Sequence, residues 1–494
     1  MRLDRPWLLL ALVLPAVVAL LVPLPAVDLA YQVRSGEQIL RTGVIPTADT
    51  FTFTIAGARW TDQQWLAQGL LALGYRAGGW ELLAVLRAVL VSAIGGLLVV
   101  AALARGASIR TASLLSLLAF MLAAPALALR PQLFAIVVFA GLVALVSGRG
   151  RYPRAYLFAP LLVAVWANLH GSFVLAPVLL GYAWLDDMAR GRPRRRSLAV
   201  LVAGIAATLV NPYGIGVWAY AVGIGANPVI AGRVSEWQRT TPLTVSGALF
   251  FGSAALAAVI AWWGRRRMAW PDAVLLVTMA ALGAWAVRGL AWWPAGALLV
   301  VAGALGSSPS SAETAPSSSA APSSASPAPP TRDRARRPPP LTGVVAALLV
   351  VIVVAALPWW RPADLLTGRR GLLTYAPAGL AAALRGDAAD GTRVFVPQVW
   401  GSWFEWAVPE AAYFADARFE LFGDDVWADL DVIGGGGTPA ALVLDRRRVE
   451  IVVLPAGWTG PGDGWSPVYA DADGQILVRT GAKPWLADRV IAAP

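Results

Sequence analysis

Hydrophobic runs in this chain alternate with loops that are either crowded with arginine or almost free of it, and this alternation constrains the fold more than any other feature. Arginines cluster at Arg2 and Arg5, at Arg105 and Arg110, at Arg149, Arg151 and Arg154, from Arg190 to Arg196, from Arg265 to Arg267, and from Arg332 to Arg337. Short loops rich in Lys or Arg stay on the cytoplasmic side of a membrane, because carrying them across opposes the membrane potential and the pull of the anionic leaflet. The arginine-poor loops are then expected outside. They carry isolated polar residues: Asp28, Arg130, Asn168, His170, Asn211, Glu236 and Arg288.

A helix needs roughly 20 apolar residues to cross the bilayer core. The qualifying segments are 7–27, 81–104, 111–129, 132–147, 156–169, 172–188, 197–211, 244–263, 270–287, 290–305 and 341–358, giving about eleven spans. The first run is too long for a signal-peptide core and reads as an uncleaved anchor. With the N-terminus inside, every arginine cluster falls inside and the C-terminal segment falls outside. The fold class expected is mostly α: a polytopic transmembrane helical bundle with a small C-terminal extracytoplasmic α/β domain. Residues 1–305 form the membrane domain, with a first outer loop at 28–80 in which 65–75 has the spacing of an amphipathic interfacial helix. Residues 306–340, rich in Ser, Pro and Ala, read as a disordered cytoplasmic linker. The last span is 341–358, and 359–494 is the α/β domain, with strand-like runs at 393–399 and 449–454.

Composition agrees: 57% of the 494 residues are hydrophobic and 14% charged, against roughly a quarter charged in soluble domains. The net charge of +11 does not argue for nucleic acid, since its arginines lie in the topology-setting loops, where they meet anionic headgroups of the membrane lipids. Without cysteine and with a single histidine, disulfides, thiolate chemistry and the usual zinc sites are excluded; no metal or cofactor is expected. The Arg, Ala and Gly bias suggests a GC-rich bacterial genome, so the expected location is a bacterial cytoplasmic membrane.

Chemistry, if any, belongs to the outer face. Asp28 follows the first span directly; a carboxylate beside a hydrophobic wall is harder to ionise unless an Arg is near, and such a group can serve as a general base. It could equally mark the start of a helix. Asp49 and Asp62 sit in turn-like sequence, where Asp is common for backbone reasons. Arg130 and Arg288 each end a span at a tight turn; an Arg there can bind phosphate bidentately or reach up to lipid headgroups. His170 could act as a base or be a satisfied structural residue. Asn211-Pro-Tyr-Gly214 reads as a helix-ending turn, and Glu236-Trp-Gln238 as an interfacial segment.

Together these residues resemble the GT-C superfamily of polytopic membrane glycosyltransferases, within it a bacterial, largely uncharacterised group. The resembling pieces are Asp28 with Gly36 and Ile45-Pro-Thr-Ala-Asp-Thr-Phe-Thr-Phe53, Trp60 through Trp65, Arg130-Pro-Gln-Leu-Phe134, Trp166-Ala-Asn-Leu-His-Gly171, Asn211-Pro-Tyr-Gly214, Glu236-Trp-Gln238, and Phe414-Ala-Asp-Ala-Arg-Phe-Glu-Leu-Phe-Gly423. The resemblance implies transfer of a sugar from a polyprenyl-phosphate donor to an extracytoplasmic glycan, lipid or protein acceptor, with inversion. It implies Asp28 as base, with Asp62 and His170 as further catalytic candidates, Arg130 and Arg288 on the donor phosphate, and Asn168, Glu236, Trp60 and Trp65 in substrate binding. The chain departs from the pattern in having Thr61-Asp-Gln-Gln-Trp65 where His or Glu precedes the tryptophan, and Tyr31-Gln32 where Trp-His is expected. No Asp-x-Asp motif stands in the outer loops, so a divalent-metal mechanism of the oligosaccharyltransferase type is not expected. The lost titratable groups keep a second reading open, a catalytically degenerate relative that binds polyprenyl lipids or scaffolds envelope assembly. A transporter fits poorly, as no internal repeat is evident.

Overall fold

The computed structural model describes residues 4–306, 340–361, 371–385 and 391–481; the expected linker at 306–340 lies, but for its two end residues, outside them. Each of the apolar segments is helical over most of its length. In chain order the helices of the membrane domain are α1 (Asp4–Leu21), α2 (Ala26–Thr42), α3 (Trp65–Ala104), α4 (Ile109–Ala123), α5 (Pro131–Gly148), α6 (Ala159–Leu169), α7 (Ala176–Ala189), α8 (Arg195–Ala207), α9 (Gly216–Ala226), α10 (Pro228–Arg233), α11 (Val245–Trp263), α12 (Trp270–Trp285), α13 (Trp293–Leu305) and α14 (Pro340–Ala356). Among the described residues 6 helical segments are long and apolar enough to cross a membrane; other apolar helices, such as α12 and α13, are shorter. This is a multi-pass membrane protein.

The region expected as a first outer loop is different in kind. α1 stops at Leu21, before the expected end at 27, because Pro23 and Pro25 supply no backbone N–H to continue it. Leu24–Pro25 instead forms β1, parallel to β2 (Leu373–Thr374), and α2 starts at once, so residues 28–80 open with a 17-residue helix. α2 packs on the first half of α3 backbone to backbone: a Cβ on Gly36 would stand 2.0 Å from the carbonyl oxygen of Gln68. α3 itself runs for 40 residues through a kink at Gly78 and Gly79, where Gly79 adopts φ +63°, a conformation that side chains disfavour. Its first limb covers the helix expected at 65–75, and its second the apolar segment expected at 81–104.

α5 runs through the middle of the bundle, with Phe139 packed edge-on against Trp166 and Trp292 at 5.8 and 5.3 Å between ring centroids. At the C-terminal end of α5 several arginines of the expected topology clusters turn inward instead of meeting lipid. Arg149 binds Asp186 and Asp187, Arg190 binds Asp186 and Asp272 at 2.6 and 2.7 Å, and Arg105 binds Asp272 at 3.1 Å, where Tyr182 also donates at 2.7 Å. Asp186 and Asp272 are wholly buried, and buried charges persist only when paired and hydrogen-bonded in this way. The candidate site lies at the other end of α5, about 27 Å away at 1.5 Å per residue.

The C-terminal domain adds α15 (Ala378–Leu384), α16 (Gln398–Ala407), α17 (Asp424–Gly434) and α18 (Gly437–Arg446) around a sheet of β3 (Arg393–Phe395), β4 (Ala412–Tyr413), β5 (Ile451–Pro455), β6 (Trp465–Ala470) and β7 (Gly474–Arg479). The strand order is β4-β3-β5-β7-β6, parallel among the first three and antiparallel beyond. The run expected as a strand over 393–399 is cut short because α16 begins at Gln398. The domain is locked to residues 43–64 by a buried ion triad. Arg418 lies between Asp416 and Asp49, 2.5 Å from Asp49 Oδ1, with the rings of Phe51 and Trp60 at 4.8 and 4.7 Å from its guanidinium carbon. Asp49 also accepts from Thr52 Oγ1 at 2.7 Å and from the backbone N–H groups of Phe51 and Thr52, the turn role expected of it.

Candidate active site

Five short connections meet in one recess of about 280 Å³. Asp28 comes from the first turn of α2, and Arg130 is the extended residue before α5. His170 closes α6, Glu236 and Trp237 lie in the single turn Ser235–Trp237, and Arg288 in the single turn Val287–Ala291. The last two turns are tied by Val287 N–H to Gln238 O at 3.0 Å, and the second is so tight that a Cβ on Gly289 would stand 2.1 Å from Leu282 O. The C-terminal domain closes the recess with Ala417, Phe419 and Glu420; Tyr31, Gln32, Gln64, Gln132, Tyr220 and Ser235 complete its polar lining.

The charges are ordered. Arg130 donates from Nη1 to Asp28 Oδ2 at 3.1 Å and from Nη2 to Glu236 Oε1, so one cation is held between two carboxylates. Burial raises the Asp28 pKa and the nearby Glu236 adds to this, while Arg130, by charge and by hydrogen bond, and Arg288 oppose it. The side chain keeps 36% of its surface accessible, which leaves it open to a ligand in the recess. Burial also raises the Glu420 pKa, against the pull of Arg418 and of the Tyr220 hydroxyl, which donates to it at 3.3 Å.

Arg288 is placed otherwise. Its Nη2 meets His170 Nε2 at 2.9 Å, and its guanidinium stacks on Trp237 at 5.1 Å. Among the described residues it forms no salt bridge. The neighbouring His170 is buried, and burial followed by the charges of Arg288 and Arg130 holds its pKa well below the usual histidine value; it is neutral. A second recess of about 270 Å³ opens on the far side of Arg288. It shares Gln64, His170, Tyr220, Ile224, Trp237 and Arg288 with the first and continues over Leu175, Leu282, Trp285 and Trp292. Arg288 thus stands on the wall between a charged chamber and an apolar one.

No protein-family model and no curated protein matches the sequence. Solved structures do match in shape. The apo oligosaccharyltransferase of Archaeoglobus fulgidus superposes with a TM-score of 0.57 over 96% of this chain and 75% of its own, at 13% sequence identity. The same archaeal protein tethered through a disulfide bond to an acceptor peptide containing the NVT sequon gives 0.55 over 91% and 69%, also at 13%. The chain has the GT-C fold.

Within this GT-C fold, Asp28, Arg130, His170, Glu236 and Arg288 come together around one recess. Asp62, Trp60, Trp65 and Asn168 do not line it. Asp62 is buried against Gln68 Nε2 at 2.7 Å and the Ser35 hydroxyl at 3.5 Å, and burial pushes its pKa up to about 7. Trp60 packs on Phe51 beneath Arg418. Trp65 Nε1 donates to Asn168 Oδ1 at 2.9 Å, while Asn168 Nδ2 donates to the carbonyls of Ala164 and Val210, so both serve the scaffold. Sequence reasoning did not find Glu420 or Tyr220; the only signal near Glu420 was the segment 414–423 as a whole. Among the described residues no group of three or more His, Asp or Glu is placed to hold a metal ion.

Proposed function

We propose that this protein transfers a sugar from a polyprenyl-phosphate donor to a hydroxyl-bearing acceptor outside the cytoplasmic membrane, with Asp28 as general base. The observation that carries this reading is the position of Arg288, a cation without an ion-pair partner among the described residues on the wall shared by the charged and apolar recesses. A donor of that class has one anionic group between a greasy chain and a polar sugar, and the three parts fit the apolar recess, Arg288 and the charged recess in turn. Asp28 accepts the proton of the acceptor hydroxyl as its oxygen bonds to the anomeric carbon; the bond from that carbon to the phosphate oxygen breaks, and the electron pair leaves with polyprenyl phosphate. Arg288 offsets the charge that grows on the departing phosphate, the kind of preorganised electrostatic stabilisation that supplies much of catalysis. Attack from the face opposite the phosphate inverts the anomeric centre. Arg130, neutralised by two carboxylates, orients Asp28 and keeps it ionised.

The test incubates the purified protein in lipid with a panel of radiolabelled polyprenyl-phosphate sugars and membrane extract, comparing wild type with Asp28→Asn. Loss of donor label that depends on Asp28 is the expected result, and full transfer by a folded Asp28→Asn protein overturns the assignment. Lipid binding without transfer across donors and acceptors would favour the degenerate, lipid-binding reading, which the neutral Tyr31, Gln32 and Gln64 in the recess wall support.

A further inference from the structure

α2 has two working faces. Asp28, Tyr31 and Gln32 line the recess. Residues 34, 37 and 41 point elsewhere, turned about 120°, 180° and 140° from position 28 at 100° per residue, with Gln38 at their edge nearest Tyr31. This second face meets Phe51 and, at the end of α16, Trp406 and Pro409, enclosing a groove of about 540 Å³. It shares no lining residue with the recess.

Two arginines dominate the groove. Arg34 sits over the Phe51 ring at 4.7 Å and donates from Nη2 to Pro409 O at 3.2 Å, but its Nη1 is buried without an acceptor. Buried donors nearly always have a partner; the buried Glu405 carboxylate supplies the strongest opposite charge on this guanidinium, and Nη1 still lacks a hydrogen-bonded oxygen. Arg41, seven residues on and about 10 Å along the axis, is exposed and forms no ion pair among the described residues. The acid between them, Glu37, is taken by Arg76, with both Glu37 oxygens 2.9 Å from Arg76 Nε. The groove therefore presents net positive charge. Trp406 is held by Tyr75 and Trp80 at 5.4 and 5.0 Å, which fixes an aromatic wall beside the two cations.

We propose that this groove is a second ligand site, selective for an anionic saccharide whose carboxylate or phosphate groups are held by Arg34 and Arg41 while a sugar ring lies against Trp406. Arg is suited to the task because its planar donors match such groups two at a time. The hydroxyl and amide of Thr50 and Gln38 on the rim supply partners for sugar hydroxyls. A lipid headgroup fits less well, since its acyl chains would have to leave across a rim made of Arg34, Glu37, Gln38 and Arg41. The site binds whether or not the recess transfers sugar, so its test reads binding alone.

Calorimetric titration of the full-length protein in lipid nanodiscs with tetragalacturonate decides the matter, with maltotetraose and inorganic pyrophosphate as comparators. Tetragalacturonate should bind, more weakly as salt rises, and Arg41→Gln, a change at an exposed position that leaves the fold intact, should weaken it several-fold. Arg34→Gln combined with Arg41→Gln should weaken it roughly tenfold or more. Absence of binding to the wild type, unchanged affinity in both variants, or equal binding of maltotetraose or pyrophosphate overturns the proposal.

Discussion

Arg288 Nη2 lies 2.9 Å from His170 Nε2, and because a guanidinium only donates, that imidazole nitrogen must accept. Both ring nitrogens are thus engaged, since Nδ1 stands 2.8 Å from the Ser172 hydroxyl and 3.1 Å from the Ser172 backbone N–H. His170 has no free lone pair to act as a base; it positions Arg288. Arg288→Lys should lower kcat by ~100-fold or more, as removal of a donor to developing charge does elsewhere. His170→Ala should cost less and mainly raise KM for the lipid donor. His170→Gln, which restores an acceptor, should recover part of that loss without altering the pH profile. A pH profile that loses a limb in His170→Gln would return the histidine to the role of base.

Glu236 shares Arg130 with Asp28, and its charge is one of the causes that raise the Asp28 pKa. Glu236→Gln removes that cause and leaves Arg130 to Asp28 alone. The base should then ionise at lower pH, so the acid limb of kcat/KM should move to lower pH relative to wild type. An unmoved limb would show that the titrating base is not Asp28.

Asp62 is buried, with its pKa pushed up from 3.8 to about 7. Its folded state holds a proton that the unfolded chain releases, so stability is greatest below the unfolded pKa and declines as pH rises from about 4 to 7. At about 1.4 kcal/mol per pH unit the decline is about 4 kcal/mol. Thermal unfolding followed between pH 5 and 8 should show Tm falling with pH in the wild type. The slope should be shallower in Asp62→Asn, which keeps an acceptor for Gln68; an identical slope would place the titrating group elsewhere.

Gly36 brings α2 within backbone contact of α3, and a Cβ there would collide with Gln68 O at 2.0 Å. Gly36→Ala should force the helices apart and lower Tm by several degrees, at a cost of about 1–3 kcal/mol. Because Asp28 rides on the same helix, transfer activity should fall with it. Wild-type stability and activity in the alanine protein would contradict the close approach.

Much of this architecture is legible in the sequence because a bilayer accepts few solutions: apolar length marks helices, and a polar residue at a span end has few places to go. Arg130, His170 and Arg288 are readable for that reason. α2 is not, because its inward face carries Gln32, Ser35 and Gly36, so hydrophobic periodicity is blind to it. Trp60, Trp65, Asn168 and Asp62 look like site residues because they are polar or aromatic in an expected loop, yet packing turns them into scaffold. The arginine clusters record sidedness but not partnership, and nothing local tells that Arg149 will be buried against Asp186 and Asp187. Glu420 is invisible for a different reason, since it reaches the recess only after the C-terminal domain folds and docks.

The recess draws its walls from residues 27–28 near one end of the chain and from 417–420 near the other, held by the β1–β2 pairing and by the clasp of Arg418 on Asp49. During synthesis the membrane helices insert in order, but the chamber stays open on one side until the ribosome has delivered residue 420. A nascent or truncated chain can therefore sit in the membrane fully threaded and still lack an enclosed workplace.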